Sequence, residues 1–262
     1  MATDTLSLFR HYAGILRDPG IDFAAHVPLP SELHMAGDAR HDVFYAPFDH
    51  LNAAARIVLV GLSPGRAQAL VALETARRVL LTGTDDATAA AAAKHAASWS
   101  GPIRHNLVRM LDFLGVASRL ELTSTAELWT TRTDLVHFSA ALRYPVFVGG
   151  KNFNGTGVDR NAFLLEQVDA WFAAECAQLN ERAVYVALGA AAQVACDRVV
   201  ARGLLRPGQI IAGLPHPSGA NAERVAYFLG QKARETLSAQ TRPGPLDLAR
   251  ESALRTLATW TP

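Results

Sequence analysis

The chain is poor in cysteine, in net charge and in long apolar runs, and each shortage removes a class of protein. Two cysteines, Cys176 and Cys196, in 262 residues exclude a disulfide scaffold and a four-thiolate iron–sulfur cluster. Each sits in a helical pattern among apolar neighbours, so both read as buried free thiols. A formal net charge of +1 argues against a broad polyanion-coating surface and leaves room for one local basic face. No apolar stretch reaches the roughly 20 residues needed to cross a bilayer. Met1 to Arg10 has neither the basic start nor the apolar segment of an export signal, so the expectation is a soluble, cytoplasmic protein with no membrane partner. His26, His34, His41 and His50 lack the tight paired spacing of a zinc site; no metal and no cofactor is assigned.

What is present is a hydrophobic half of the chain arranged as β-branched runs alternating with helical patterns. Residues 1–50 read as an N-terminal wrap, with a helical pattern from Leu6 to Leu16 and prolines at 19, 28, 30 and 47. Buried strands are predicted at Arg56–Val60, Thr133–Ala140, Ala183–Leu188 and from Ile210. Helices are predicted across Leu70–Leu81, over the alanine-rich 87–97 run with Asp85 or Asp86 as cap, and from Gly101-Pro102 onward. Further helices follow at Val158–Leu179, Ala190–Leu204, Ala222–Leu237 and Pro245–Trp260. Strands separated by helices imply parallel crossovers. The expected fold is α/β: a three-layer α/β/α sandwich on an about four-stranded parallel sheet, one domain spanning 1–262 with a C-terminal helix within 238–262.

Open α/β sheets bind ligands beyond the carboxyl ends of their strands. Two such ends carry turns: Gly61-Leu62-Ser63-Pro64-Gly65, and Leu214-Pro215-His216-Pro217-Ser218-Gly219-Ala220-Asn221. The first fits G-x-S-x-G, the serine-nucleophile elbow, and Ser63, Asp134 and His216 stand in triad order. The elbow needs the N–H after the serine as an oxyanion donor, however, and Pro64 has none. A serine hydrolase using Ser63 is therefore the minor alternative. Between the two turns, Asp134, His137 and Ser139 are polar positions on a buried strand, where unpaired groups are costly. The Gly149-Gly150-Lys151 stretch reads equally as a glycine-rich hairpin or a ligand-contacting lid; it lacks the spacing and hydroxyl of a phosphate-binding loop.

Taken together and in this order, the two turns resemble the motifs of the uracil-DNA glycosylase superfamily: a strand followed by a G-x-x-P-G-like turn, and a late strand followed by H-P-S. The resemblance covers about Arg56 to Leu237 as architecture, with sharp identity confined to the turns. It implies a DNA repair enzyme, a monomeric base-excision glycosylase that flips a damaged, deaminated base from single- or double-stranded DNA and hydrolyses its N-glycosidic bond. The resemblance assigns His216 to stabilising the departing base and Ser63 to placing water. Gly61, Leu62, Pro64, Gly65, Asp134, His137 and Phe138 would surround the base. Pro217, Ser218, Gly219, Asn221 and Lys151 would meet the DNA strand, phosphates being favoured near a helix start. The pattern departs from its relatives in having Leu62 and Ser63 where many place a carboxylate or amide, no aromatic between Ser63 and Trp99, and Ala220 at a wedging position. Those departures motivate another alternative, a non-catalytic DNA- or nucleotide-binding protein of the same fold. Simpler structural roles stand beside each assignment: a turn-bonded His216, a structural carboxylate at Asp134, a helix cap at Asn221.

Overall fold

A computed structural model describes residues 6–99 and 102–262. The elements run α1 (Ser7–Arg17), β1 (His34–Gly37), β2 (Asp42–Phe44), β3 (Ile57–Gly61), α2 (Arg66–Leu80), α3 (Asp86–Ala97), α4 (Pro102–Phe113), α5 (Val116–Arg119) and β4 (Val136–Ala140). They continue as β5 (Val146–Val148), β6 (Lys151–Asn152), α6 (Ala162–Gln167), α7 (Ala174–Cys176), β7 (Val184–Ala187), α8 (Ala190–Ala201), β8 (Ile210–Ile211), α9 (Ala222–Phe228) and α10 (Pro243–Thr259). The alanine run forms α3 as expected, with the Asp85 carboxylate accepting the Thr88 N–H at 2.9 Å to satisfy an orphan donor. Gly101 and residues 1–5 of the segment read for an export signal lie outside the described residues.

Among the described residues the chain forms two compact units, one within Met1–Leu51, Ser63–Ser98 and Leu142–Phe172, the other within Asn52–Leu62, Trp99–Ala141 and Ala173–Pro262. The first holds α1, α2, α3, α6 and an antiparallel sheet of order β1-β2-β5-β6. Its N-terminal segment is held to α2 by two arginines. Arg66 donates to the carbonyls of Pro28, Ala24 and His26, and Arg77 to those of Leu16 and Ile21 while covering the Phe23 ring. Gly149 and Gly150 both take positive φ, 55° and 74°, which closes β5 onto β6 as a hairpin.

The second unit is built on a parallel sheet of order β4-β3-β7-β8. Every residue of β3 is buried, as in a central strand covered on both faces. Side chains alternate. Ile57, Leu59, Val136, Phe138, Val184 and Val186 join one apolar cluster with residues of α4, α5, α9 and α10. The intervening positions, including His137 and Tyr185, face Glu175 and Cys176 of α7. With helices over both faces, the unit has the layering expected of an α/β/α fold.

Several predicted elements are shorter than their patterns. Thr133–Leu135 is a 3₁₀ turn rather than strand, because the Asn52 side-chain amide bonds the carbonyls of Asp134 (2.8 Å) and Val136 (2.9 Å) and the ladder with β3 begins at Val136. The helix expected over Ala222–Leu237 ends at Phe228, where Gly230 turns the chain with φ 70°. The Val158–Leu179 pattern becomes α6 and α7 joined by a π-helical stretch, Val168–Ala173. Among the described residues no helix is long and apolar enough to cross a membrane.

Candidate functional site

In the second unit, the connection after β3 leads to β4 on one side, whereas β7 lies on the other and leads to β8. The carboxyl ends of β3 and β7 therefore form the topological switch point, the usual ligand crevice of such a sheet. Gly61 ends β3 there. A β-carbon on it would lie 3.1 Å from the Trp99 ring, so glycine is what admits the indole. Trp99 itself adopts φ 53°, a left-handed conformation that a bulky residue rarely holds without support, and its carbonyl accepts the Arg104 Nε–H at 3.1 Å. At the end of β7, Gly189 (φ 98°) has His216 as its neighbour, the imidazole Cδ2 lying 4.0 Å from where a β-carbon would stand.

The turn after β8 holds His216 half-buried between two buried prolines. Its Nδ1 accepts the Ser218 N–H at 3.3 Å. An acceptor at Nδ1 leaves the ring hydrogen on Nε2, and burial pulls the His216 pKa below the ordinary histidine value. The side chain is thus a neutral imidazole presenting Nε2–H, to which no protein group bonds among the described residues. The turn is fastened by two asparagines: Asn106 Nδ2 donates to the Pro217 carbonyl at 3.0 Å, and Asn221 Nδ2 to Ser218 Oγ at 3.1 Å. Asn221 stands at the start of α9 without capping it. Its amide oxygen instead accepts from Arg224 at 2.9 Å, which corrects the cap expected there. Gly219 and Ala220 are exposed, and Pro217 is buried.

The first turn is split. Gly61 and Leu62 belong to the second unit, Ser63, Pro64 and Gly65 to the first. Ser63 Oγ accepts the Val146 N–H at 3.1 Å and lies 3.3 Å from the Tyr144 carbonyl, to which it donates. The hydroxyl therefore splices the turn to the start of β5, and a serine so engaged is not a poised nucleophile. Gly65 N–H goes to Gln68 Oε1 (3.0 Å) and Arg66 N–H to Asn152 Oδ1 (2.9 Å), so these donors at the start of α2 are occupied. Behind the turn, the buried Asp49 carboxylate accepts from Tyr45 (2.8 Å) and Tyr144 (2.9 Å). Burial pushes the Asp49 carboxyl up and both phenols well above their usual range. Lys151 is exposed on β6 of the same unit.

Of the three residues expected to read a base, Asp134 lies before β4, and His137 and Phe138 lie on it. Asp134 precedes the strand, at the end opposite the switch point, exposed and paired with Arg132 at 3.1 Å. Phe138 points into the apolar cluster, 5.4 Å from the Trp129 ring centroid. His137 is buried. Its Nδ1 accepts the Asn52 N–H at 3.3 Å and its Nε2 bonds Glu175, whose second oxygen accepts from Ser139 at 3.2 Å. The strand's side chains alternate faces, and at His137 and Phe138 both faces are buried. Among the described residues no group of three or more His, Cys, Asp or Glu side chains could hold a metal ion.

Sequence reasoning missed Trp99, Gly189, Asn106 and Glu175. Asn106 and Arg109 lie three apart on α4, and Arg109 bonds Asn106 and Gln231. Only Gly189, a glycine ending a β-branched run, carried a local signal of its role. No family model and no solved structure matches the chain. A protein of Bacillus subtilis (strain 168), "Uncharacterized protein YoxB", is 32% identical over 216 residues, 81% of this chain and 83% of that protein. Identity at that level over most of both sequences means that the chain belongs to the same family as YoxB.

Proposed function

We propose that this protein is a monofunctional DNA glycosylase of base-excision repair, which receives a flipped, damaged base and hydrolyses its N-glycosidic bond. The observation that carries the reading is His216: a neutral imidazole at a strand end, its Nδ1 capped by the Ser218 N–H and its Nε2–H available. In the reaction the C–N bond to the sugar breaks, its electron pair leaves with the base, and water adds to the oxocarbenium-like C1′. Negative charge collects on the base, where a fixed neutral donor stabilises it without needing to titrate. A preorganised donor of this kind is worth about 10²–10³ in rate. Ser63, whose hydroxyl accepts the Val146 N–H and donates to main-chain carbonyls, cannot serve as a base.

A second reading, DNA or nucleotide binding without catalysis, is favoured by the same Ser63 bonds and by the apolar Leu62 beside them. Single- and double-stranded oligonucleotides carrying uracil, hypoxanthine, xanthine or alkylated bases, treated with the protein and then with alkali, separate the two. Strand cleavage at one of these bases that drops ~10²-fold or more in His216→Ala supports the glycosylase. Salt-dependent binding with no base release from any substrate, by folded protein, overturns it in favour of the binding reading.

A further inference from the structure

We infer that Asn106 is a positioning residue for His216, acting through the single peptide unit between Pro217 and Ser218 and reinforced by Arg109; the inference rests on reading His216 as the donor to the departing base. Asn106 Nδ2 donates to the Pro217 carbonyl at 3.0 Å, and the N–H of that same peptide unit, on Ser218, donates to His216 Nδ1 at 3.3 Å. A trans peptide is planar, with its C=O and N–H on opposite sides. A grip on the carbonyl from α4 therefore aims the N–H at the imidazole. Pro217 has no N–H and a fixed φ, so this peptide unit can still turn only about the Pro217 ψ and the Ser218 φ, which is −71° here. The Asn106 bond removes that freedom.

The amide orientation is determined by its partners. A carbonyl cannot donate, so Nδ2 faces Pro217; a guanidinium cannot accept, so Oδ1 faces Arg109 Nη1 at 3.3 Å. Every bond in the series then donates toward the histidine: Arg109 to Asn106, Asn106 to the peptide, the peptide to Nδ1. Bonds aligned in one direction polarise one another, which keeps Nδ1 unprotonated and strengthens the Nε2–H donor. Arg109 ends the series as a cation whose other partner is the neutral amide oxygen of Gln231. A residue that merely packed α4 against the turn would have no influence on which ring nitrogen carries the hydrogen.

The test is the tautomer itself, read on the full-length protein by long-range proton–nitrogen correlation of the histidine side chains, with His216 assigned by its loss in His216→Gln. The wild type is expected to show the Nε2–H form alone. Asn106→Ala and Asn106→Asp, confirmed folded by their melting curves, are expected to shift the tautomer ratio toward Nδ1–H by about tenfold. Arg109→Gln, which leaves Asn106 in place, should move it in the same direction by less. An unchanged ratio in both Asn106 variants overturns the inference. On an excised substrate, Asn106→Asp should lower kcat ~10-fold at constant KM, and a rise in KM alone also overturns it. Absence of excision by the wild type would remove the glycosylase reading and leave the tautomer measurement to decide the positioning role by itself.

Discussion

His137 offers the sharpest separation between a residue that binds ligand and one that holds the sheet together. It is 1% exposed, as is Glu175, and the ring joins the backbone N–H of Asn52 to the Glu175 carboxylate. Replacing it with alanine removes its hydrogen bond to the Glu175 carboxyl in a buried setting, about 1–3 kcal/mol. It also strips the Asn52 N–H of its acceptor and leaves a cavity beside β3, which adds roughly 2 kcal/mol. The expected loss is about 3–5 kcal/mol, a large part of an ordinary domain's stability of roughly 5–15 kcal/mol. Urea titration followed by far-UV circular dichroism would register it as a lower midpoint at unchanged slope. The double variant His137→Leu with Glu175→Leu exchanges the polar pair for apolar volume and should recover much of the loss, since buried polar pairs are commonly replaceable as a set. A His137→Ala protein with the wild-type midpoint but no base release would refute the reasoning and return His137 to the binding site.

Gly213 opens the turn that carries His216, at φ 76°, and a β-carbon there would lie 2.9 Å from Ala249 Cβ on α10. Gly213→Ala should cost about 2–5 kcal/mol from left-handed strain and overpacking together, read by the same titration; a neutral effect would mean that α10 yields at that contact. Ser63→Ala leaves the Val146 N–H without its acceptor, so the melting temperature should fall by the equivalent of about 1–3 kcal/mol with no change in turnover of activated esters. Ester turnover that disappears with the hydroxyl would instead restore the hydrolase reading. Burial holds the His216 pKa below its unfolded value, so its neutral form is favoured in the native state. The associated stability is present above the unfolded pKa of about 6.5 and is lost as pH falls through the folded pKa. The acid limb of the excision rate should accordingly lie below pH 6.5, and a limb above it would contradict a neutral donor.

The parallel sheet was legible because its strands are buried on both faces and read as unbroken β-branched runs; Ile57–Gly61 and Val184–Ala187 need no partner to be recognised. Of the antiparallel sheet only the Gly149-Gly150 hairpin was legible, since strands as short as Asp42–Phe44 and Lys151–Asn152 have no periodicity to read. Nor could local pattern foresee two units assembled from segments distant in sequence. At the candidate site, the turn that carries His216 was legible because a histidine between prolines follows a buried strand. What the β4 residues face was another matter. Which way each β4 side chain points is set by the register against β3, which begins only at Val136, past the Asn52 bonds to the Asp134 and Val136 carbonyls more than eighty positions away. The sequence by itself thus determined the α/β character, the central strands and the histidine turn, all written in local composition. Only the tertiary structure decided that Ser63 bonds backbone, that His137 belongs to Glu175, and that Asn106 holds the peptide behind His216, because hydrogen bonds between distant segments exist only once the chain has folded.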